Sequence, residues 1–79
     1  MRSRSTSALK RRVAVNVKRL RREQGLTLAA LATRADLHLR HVQRIEAAGA
    51  NLTIGTLAKL ATGLGVDVTA LLERPVSGR

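Results

Sequence analysis

The sequence predicts a compact all-α domain of five short helices. Apolar residues recur at spacings of three and four along most of the chain. No segment sustains the period-two alternation of a half-buried strand. Gly25, Asp36, the AGAN tract at 48–51, Gly65 and Pro75 separate the periodic stretches, and these residue types stop helices or turn the chain. A length of 79 residues allows one domain with a thin core. That core must be built from Leu, Val, Ile and Ala, because the chain has no Phe, Tyr or Trp.

Residues 1–8 are basic and Ser-rich and are expected to form a flexible arm. The domain is assigned to 9–74 and a flexible tail to 75–79. In the first helix Leu9, Val13, Val17 and Leu20 recur on one face, with Lys10, Arg11, Lys18, Arg21 and Arg22 opposite and Gly25 as the stop. Thr27 is the expected N-cap of the second helix, LAALATRA, whose apolar side is Leu28, Leu31, Ala32 and Ala35. Asp36 tolerates the left-handed turn that follows. The third helix should run from His38 or Leu39 to Ala47 with Val42 and Ile45 inward. Thr53 should cap the fourth, with Ile54, Leu57, Leu60, Ala61 and Leu64 as its buried stripe and Gly65 closing it. Gly55 and Gly63 should weaken that helix by about 1 kcal/mol each. VDVTALLE supplies the fifth, with Thr69 as cap.

The net charge of +10 is unevenly placed. Residues 1–44 hold twelve Lys or Arg against Glu23 and Asp36, whereas residues 45–79 are neutral, with three basic and three acidic residues. A field confined to one half attracts and orients a polyanion, and nucleic acid is the leading candidate. An anionic membrane is disfavoured, because interfacial aromatics are missing and no apolar run is long enough to span. The basic start has no hydrophobic region behind it and does not read as a secretory signal, so a cytoplasmic protein is expected. With no cysteine there is neither a disulfide framework nor a thiolate metal site. His38 and His41 alone make too small a ligand set for a metal, and no cofactor or small-molecule effector is expected. Only five carboxylates are present and they are scattered, so catalysis is not expected.

Two short helices joined by a tight turn, the second polar and basic on its outer face, form a helix-turn-helix. In that arrangement the second helix enters the major groove and its outer side chains meet base edges, while amides at the start of the first helix meet a phosphate.

The residues VKRLRREQGLTLAALATRADL and VQRIEAAGANLTIGTLAKLATGLGVDVTALL resemble the Cro/CI-type, or xenobiotic-response-element type, repressors of bacteria and phages. Leu20, Arg21, Gly25, Leu26, Thr27, Leu31, Ala32, Leu37, Val42, Ile45, Glu46, Asn51, Thr53, Thr56 and Leu57 fall in register without a gap, as do Leu64 to Val66. The resemblance implies a lambda-repressor-like fold and a transcriptional repressor. Three single positions and one loop depart from the family pattern. Leu28 stands where a bracing Gln is usual, Asp36 replaces a turn Gly, and His38 replaces a Ser or Thr cap. Ala47, Ala48, Gly49 and Ala50 replace a loop that often carries Arg or Lys. These departures imply that phosphate contacts have moved to the first helix and the arm, or that each monomer binds with modest affinity, and the concentration of charge in residues 1–22 favours the first.

Arg40 and Gln43 are the expected base readers, since Arg suits guanine and Gln suits adenine; Arg44 flanks them and serves bases or phosphate. Leu39 meets a thymine methyl or packs on its neighbours. Lys18, Arg21, Arg22, Thr27, Leu28, His38 and His41 are the expected phosphate contacts, with Arg19 on the flank, and Arg2 and Arg4 the expected minor-groove arm. The alternative for all of these is a solvated surface. Glu46 is read as a structural partner of Arg22, Arg44 or the start of the fourth helix. A homodimer is expected, with recognition helices about 34 Å apart on a palindromic operator. Its expected surface is Val66, Val68, Leu71, Leu72 and Val76. The reading is thus a double-stranded DNA-binding transcription regulator. The competing readings are a protein-interaction module or antitoxin-type adaptor, and a non-specific nucleic-acid binder.

Overall fold

The computed structural model describes residues 3–75, with side chains from residue 6 onward. Five helices follow in order: α1 (Ser3–Glu23), α2 (Leu28–Ala35), α3 (Leu39–Glu46), α4 (Ile54–Leu64) and α5 (Thr69–Leu72). No helix among the described residues is long and apolar enough to cross a membrane.

α1 starts at Ser3, so residues 3–8 of the expected arm belong to a helix. No Gly or Pro interrupts this stretch, and extending a nucleated helix gains a hydrogen bond for each residue fixed. Arg4 lies in the first turns of α1, and Arg2 lies outside the described residues.

The core draws on every helix. Val13 and Val17 come from α1, Leu31, Ala32 and Ala35 from α2, and Val42 and Ile45 from α3. Leu60, Ala61 and Leu64 of α4 and Leu71 of α5 complete it. α2 lies against α3 and α4, while α1 spans α3 and α5. Gly63 permits the closest approach: a Cβ there would fall 2.9 Å from the backbone nitrogen of Ala35. The glycine that weakens α4 locally is thus what lets α2 pack on it.

Three expected positions are corrected. Ile54 is 85% exposed and does not join the buried stripe of α4, because it precedes the turns that meet α2. Leu71, expected on a dimer surface, is fully buried in the domain's own core. Its neighbours Val68 and Leu72 point outward, since one helical turn has only one inward side. Thr69 is the first residue of α5 and not its cap, which is Val68 without a side-chain bond, and Oδ1 of Asp67 just before it accepts from the Thr69 amide at 3.0 Å and the Thr69 hydroxyl at 2.9 Å. Those bonds hold the Asp67 carboxyl below its usual range.

The other caps sit where the sequence places them. Thr27 Oγ1 accepts from the Ala30 amide at 3.0 Å and Thr53 Oγ1 from the Thr56 amide at 3.0 Å. Gly65 ends α4 in the left-handed region.

Asn16 is the buried polar residue of α1, with no exposed surface. Its Nδ2 donates to the carbonyls of Leu71 and Glu73 at 2.8 Å each, and Oδ1 has no hydrogen-bond partner. Arg12 donates to the carbonyl of Leu72 at 3.4 Å.

Candidate nucleic-acid interface

α2 ends on Asp36, whose left-handed backbone (φ 57°, ψ 48°) reverses the chain. The Leu37 amide then donates to the Ala32 carbonyl at 2.9 Å, which closes the turn. A non-Gly residue accepts this geometry most readily when it is Asp or Asn. Lys59 of α4, missed in the sequence because its half of the chain is neutral, lies over the turn. Its Nζ donates to the Asp36 carbonyl at 3.3 Å and sits 3.7 Å from the Asp36 carboxylate.

α3 buries Val42 and Ile45 and turns Arg40, Gln43 and Arg44 to solvent. Leu39 joins them with 42% of its surface exposed. These four side chains share the accessible side of one two-turn helix. His41 is half-buried beside them. His38 takes the extended N-cap backbone but makes no side-chain capping bond, which leaves its imidazole exposed at the start of α3. Among the described residues no group of three or more His, Cys, Asp or Glu could hold a metal.

At the start of α2, Thr27 takes up the Ala30 amide through its hydroxyl and the Leu31 amide through its carbonyl. The Leu28 and Ala29 amides are the helix-end donors that point outward, suited to an anion. The Leu28 side chain itself packs against the core, so only its amide is offered.

Arg21, an expected phosphate contact, is engaged inside the protein as a brace. Its Nε donates to Glu46 Oε2 at 2.7 Å, its Nη2 to Glu46 Oε1 at 3.1 Å and its Nη1 to the Leu26 carbonyl at 2.7 Å. The two side chains are 12% and 7% exposed. Hydrogen bonding to Glu46 raises the Arg21 pKa further against the opposing effect of burial, so the guanidinium stays charged. Glu46 therefore partners Arg21, not Arg22, Arg44 or α4, and it fixes the end of α3 to α1. A signal was available: Arg21 stands four residues after Val17, in the buried column of the helix.

Lys18 and Arg22 line a groove of about 430 Å³ on α1 with Glu46, the last residue of α3. Glu46 lies about 9 Å along α3 from Arg40. The groove that these two cations line thus reaches the C-terminal end of α3. Arg19 pairs with Glu23 at 3.3 Å. Loop residues 47–50 carry no cation, and Ala50 is buried against the core. Of the expected dimer positions, Val66 packs half-buried on the core, Val68 and Leu72 are 37% and 38% exposed, and Val76 lies outside the described residues.

The profile of the Helix-turn-helix family matches residues 17–71. No curated protein shows a significant match. Several solved structures are similar to this chain. The controller protein C.Esp1396I bound to a 19 base pair DNA duplex is 32% identical, with a TM-score of 0.74 over 80% of this chain and 84% of that one. The restriction-modification controller C.AhdI from Aeromonas hydrophila is 26% identical, with a TM-score of 0.77 over 81% and 97% of the two chains. A hypothetical transcription factor, NHTF from Neisseria, is 28% identical, with a TM-score of 0.82 over 85% and 77%.

Proposed function

The chain belongs to the helix-turn-helix family of DNA-binding transcriptional regulators, and from that premise we propose that it reads a specific double-stranded operator through α3, as a homodimer on a palindromic site. The observation that carries this is the single exposed face holding Leu39, Arg40, Gln43 and Arg44, on a helix pinned by Val42, Ile45 and the Arg21–Glu46 brace. A rigid presentation is what base readout demands, because bidentate bonds to guanine or adenine edges tolerate little misplacement.

Arg40 and Gln43 read bases, Leu39 meets a thymine methyl, and Arg44 reads the next base or grips phosphate. Thr27, the Leu28 amide, His38 and His41 hold the phosphates on either side. Lys18 and Arg22 add long-range attraction rather than contacts beside α3. Val68 and Leu72, with Val66 behind them, form the surface that pairs the two copies. Such a protein works in the cytoplasm, beside the genome. Control of a restriction–modification system is the favoured role, on the likeness to two proteins with that designation.

Recovery of preferred duplexes from a random pool tests the proposal. The expected product is a two-fold symmetric consensus with half-sites about one helical turn apart. Recovery of no consensus, together with a steep salt dependence, would leave only non-specific binding. On the consensus, Arg40→Ala should cost about 1–3 kcal/mol and relax one base position in each half-site. An equal loss on scrambled duplexes would reassign Arg40 to phosphate.

A further inference from the structure

α1 has an outer face that neither the core nor α3 uses. Val13, Asn16 and Val17 turn inward, and Val15 lies at the centre of the opposite side with 49% of its surface exposed. Steps of three and four from Val15 reach Arg11, Arg12, Lys18 and Arg19, and a further turn each way reaches Ala8 and Arg22. Two grooves follow this face end to end and both include Val15. One, of about 430 Å³, runs past Lys18, Arg19 and Arg22 to Glu46. The other, of about 330 Å³, runs past Ala8, Arg11 and Arg12 to Arg74 and Pro75. From Ala8 to Arg22 the face extends about 21 Å, roughly four helical turns.

Its chemistry narrows the occupant. Among the described residues, Arg11, Lys18, Arg22 and Arg74 form no ion pair, and the two acids that line the groove, Glu23 and Glu46, are already paired with Arg19 and Arg21. A phosphate backbone would satisfy the cations but gains nothing from a half-exposed valine between apolar groove walls. A membrane surface needs a much larger apolar face than Ala8, Val15 and Pro75 provide. A helix with an aliphatic stripe flanked by carboxylates matches both features at once. We infer that this face of α1 is a docking surface for an acidic amphipathic helix of another protein, seated on Val15 with its carboxylates on Arg11, Lys18 and Arg22.

The test uses the full chain and a labelled synthetic helix of about four turns, with a Leu stripe between two rows of Glu. Fluorescence anisotropy at about 0.15 M salt limits the contribution of diffuse charge. The expected result is micromolar binding that is lost when Lys replaces Glu in the peptide. Val15→Gln and Arg11→Gln should each weaken it about tenfold. Circular dichroism should show an unchanged fold, and affinity of Val15→Gln for a random duplex should stay within about twofold. Three outcomes overturn the inference. If Val15→Gln leaves peptide binding intact, the attraction is charge alone. If it weakens duplex and peptide equally, the face belongs to nucleic acid. If anionic vesicles bind in a Val15-dependent way and the peptide does not, the face belongs to a membrane.

Discussion

Arg21 spends all three guanidinium nitrogens inside the protein, and this decides what its removal does. Arg21→Ala leaves the Glu46 carboxylate nearly buried without its partner, and breaking such a pair costs about 3–5 kcal/mol. Urea unfolding should show that loss, and Arg21→Lys should restore only part of it because a single ammonium cannot span both carboxylate oxygens and the Leu26 carbonyl. An unchanged midpoint with weaker DNA binding would return Arg21 to the phosphate contacts. Asp67 contributes at the other end of the pH scale. Its folded pKa is lowered by the bonds from Thr69, so its stabilisation of α5 is present above the ordinary carboxylate pKa of about 4. That stabilisation fades as pH falls through the lower folded value. Hydrogen exchange of the Thr69 amide should quicken on acidification before global unfolding, and Asp67→Asn should quicken it at neutral pH. The exposed face of α3 could be read from the sequence because apolar anchors at Val42 and Ile45 fix its phase. The partner of Glu46 could not be named, because sequence spacing alone does not say which of several nearby arginines crosses 25 positions to reach it.

Helix ends carry most of what the chain declares about its elements. Thr27, Thr53 and Gly65 mark boundaries because each solves a local bonding or backbone problem that needs no distant partner. The exposure of Ile54 depends on what lies across the fold, and composition gave no hold on it. Two small residues test the packing between elements. Gly63→Ala would gain about 1 kcal/mol of helix propensity, yet its Cβ would press on the backbone of Ala35, which has no flexible end to yield. A net loss of about 1–3 kcal/mol is expected, as for overpacked cores. Ala48 lies in the left-handed region at φ 60° in the loop between α3 and α4. An L-residue there costs about 1–2 kcal/mol, so Ala48→Gly should stabilise by up to about 1 kcal/mol after the entropy of a freer unfolded chain is subtracted. Thermal unfolding of the two variants should move in opposite directions. A stabilised Gly63→Ala would mean that α2 and α4 separate without cost.

At the scale of the molecule, α5 is the element that cannot stand alone. Its four residues are too few to sustain a helix, and α1 holds them through Leu71 in the core and through Asn16 and Arg12 on three successive carbonyls. The proposed pairing surface, Val68 and Leu72, rides on this one turn. Asn16 therefore connects the DNA-reading body to the place where a second copy would attach. Asn16→Ala removes both donated bonds and leaves the Leu71 carbonyl unpartnered in the interior, at a cost of about 1–3 kcal/mol. Asn16→Asp should be worse, because its carboxylate would face two carbonyl oxygens without a proton to give them. A purely structural role would lower the affinity for a half-site and a full palindrome alike, through the folded fraction. If Asn16 positions the pairing surface, Asn16→Ala at a temperature where the chain remains folded should leave half-site binding unchanged. It should also shift sedimentation toward monomer and weaken the palindrome by more than the half-site. Equal losses on both duplexes would confine Asn16 to stability and detach α5 from the assembly on DNA.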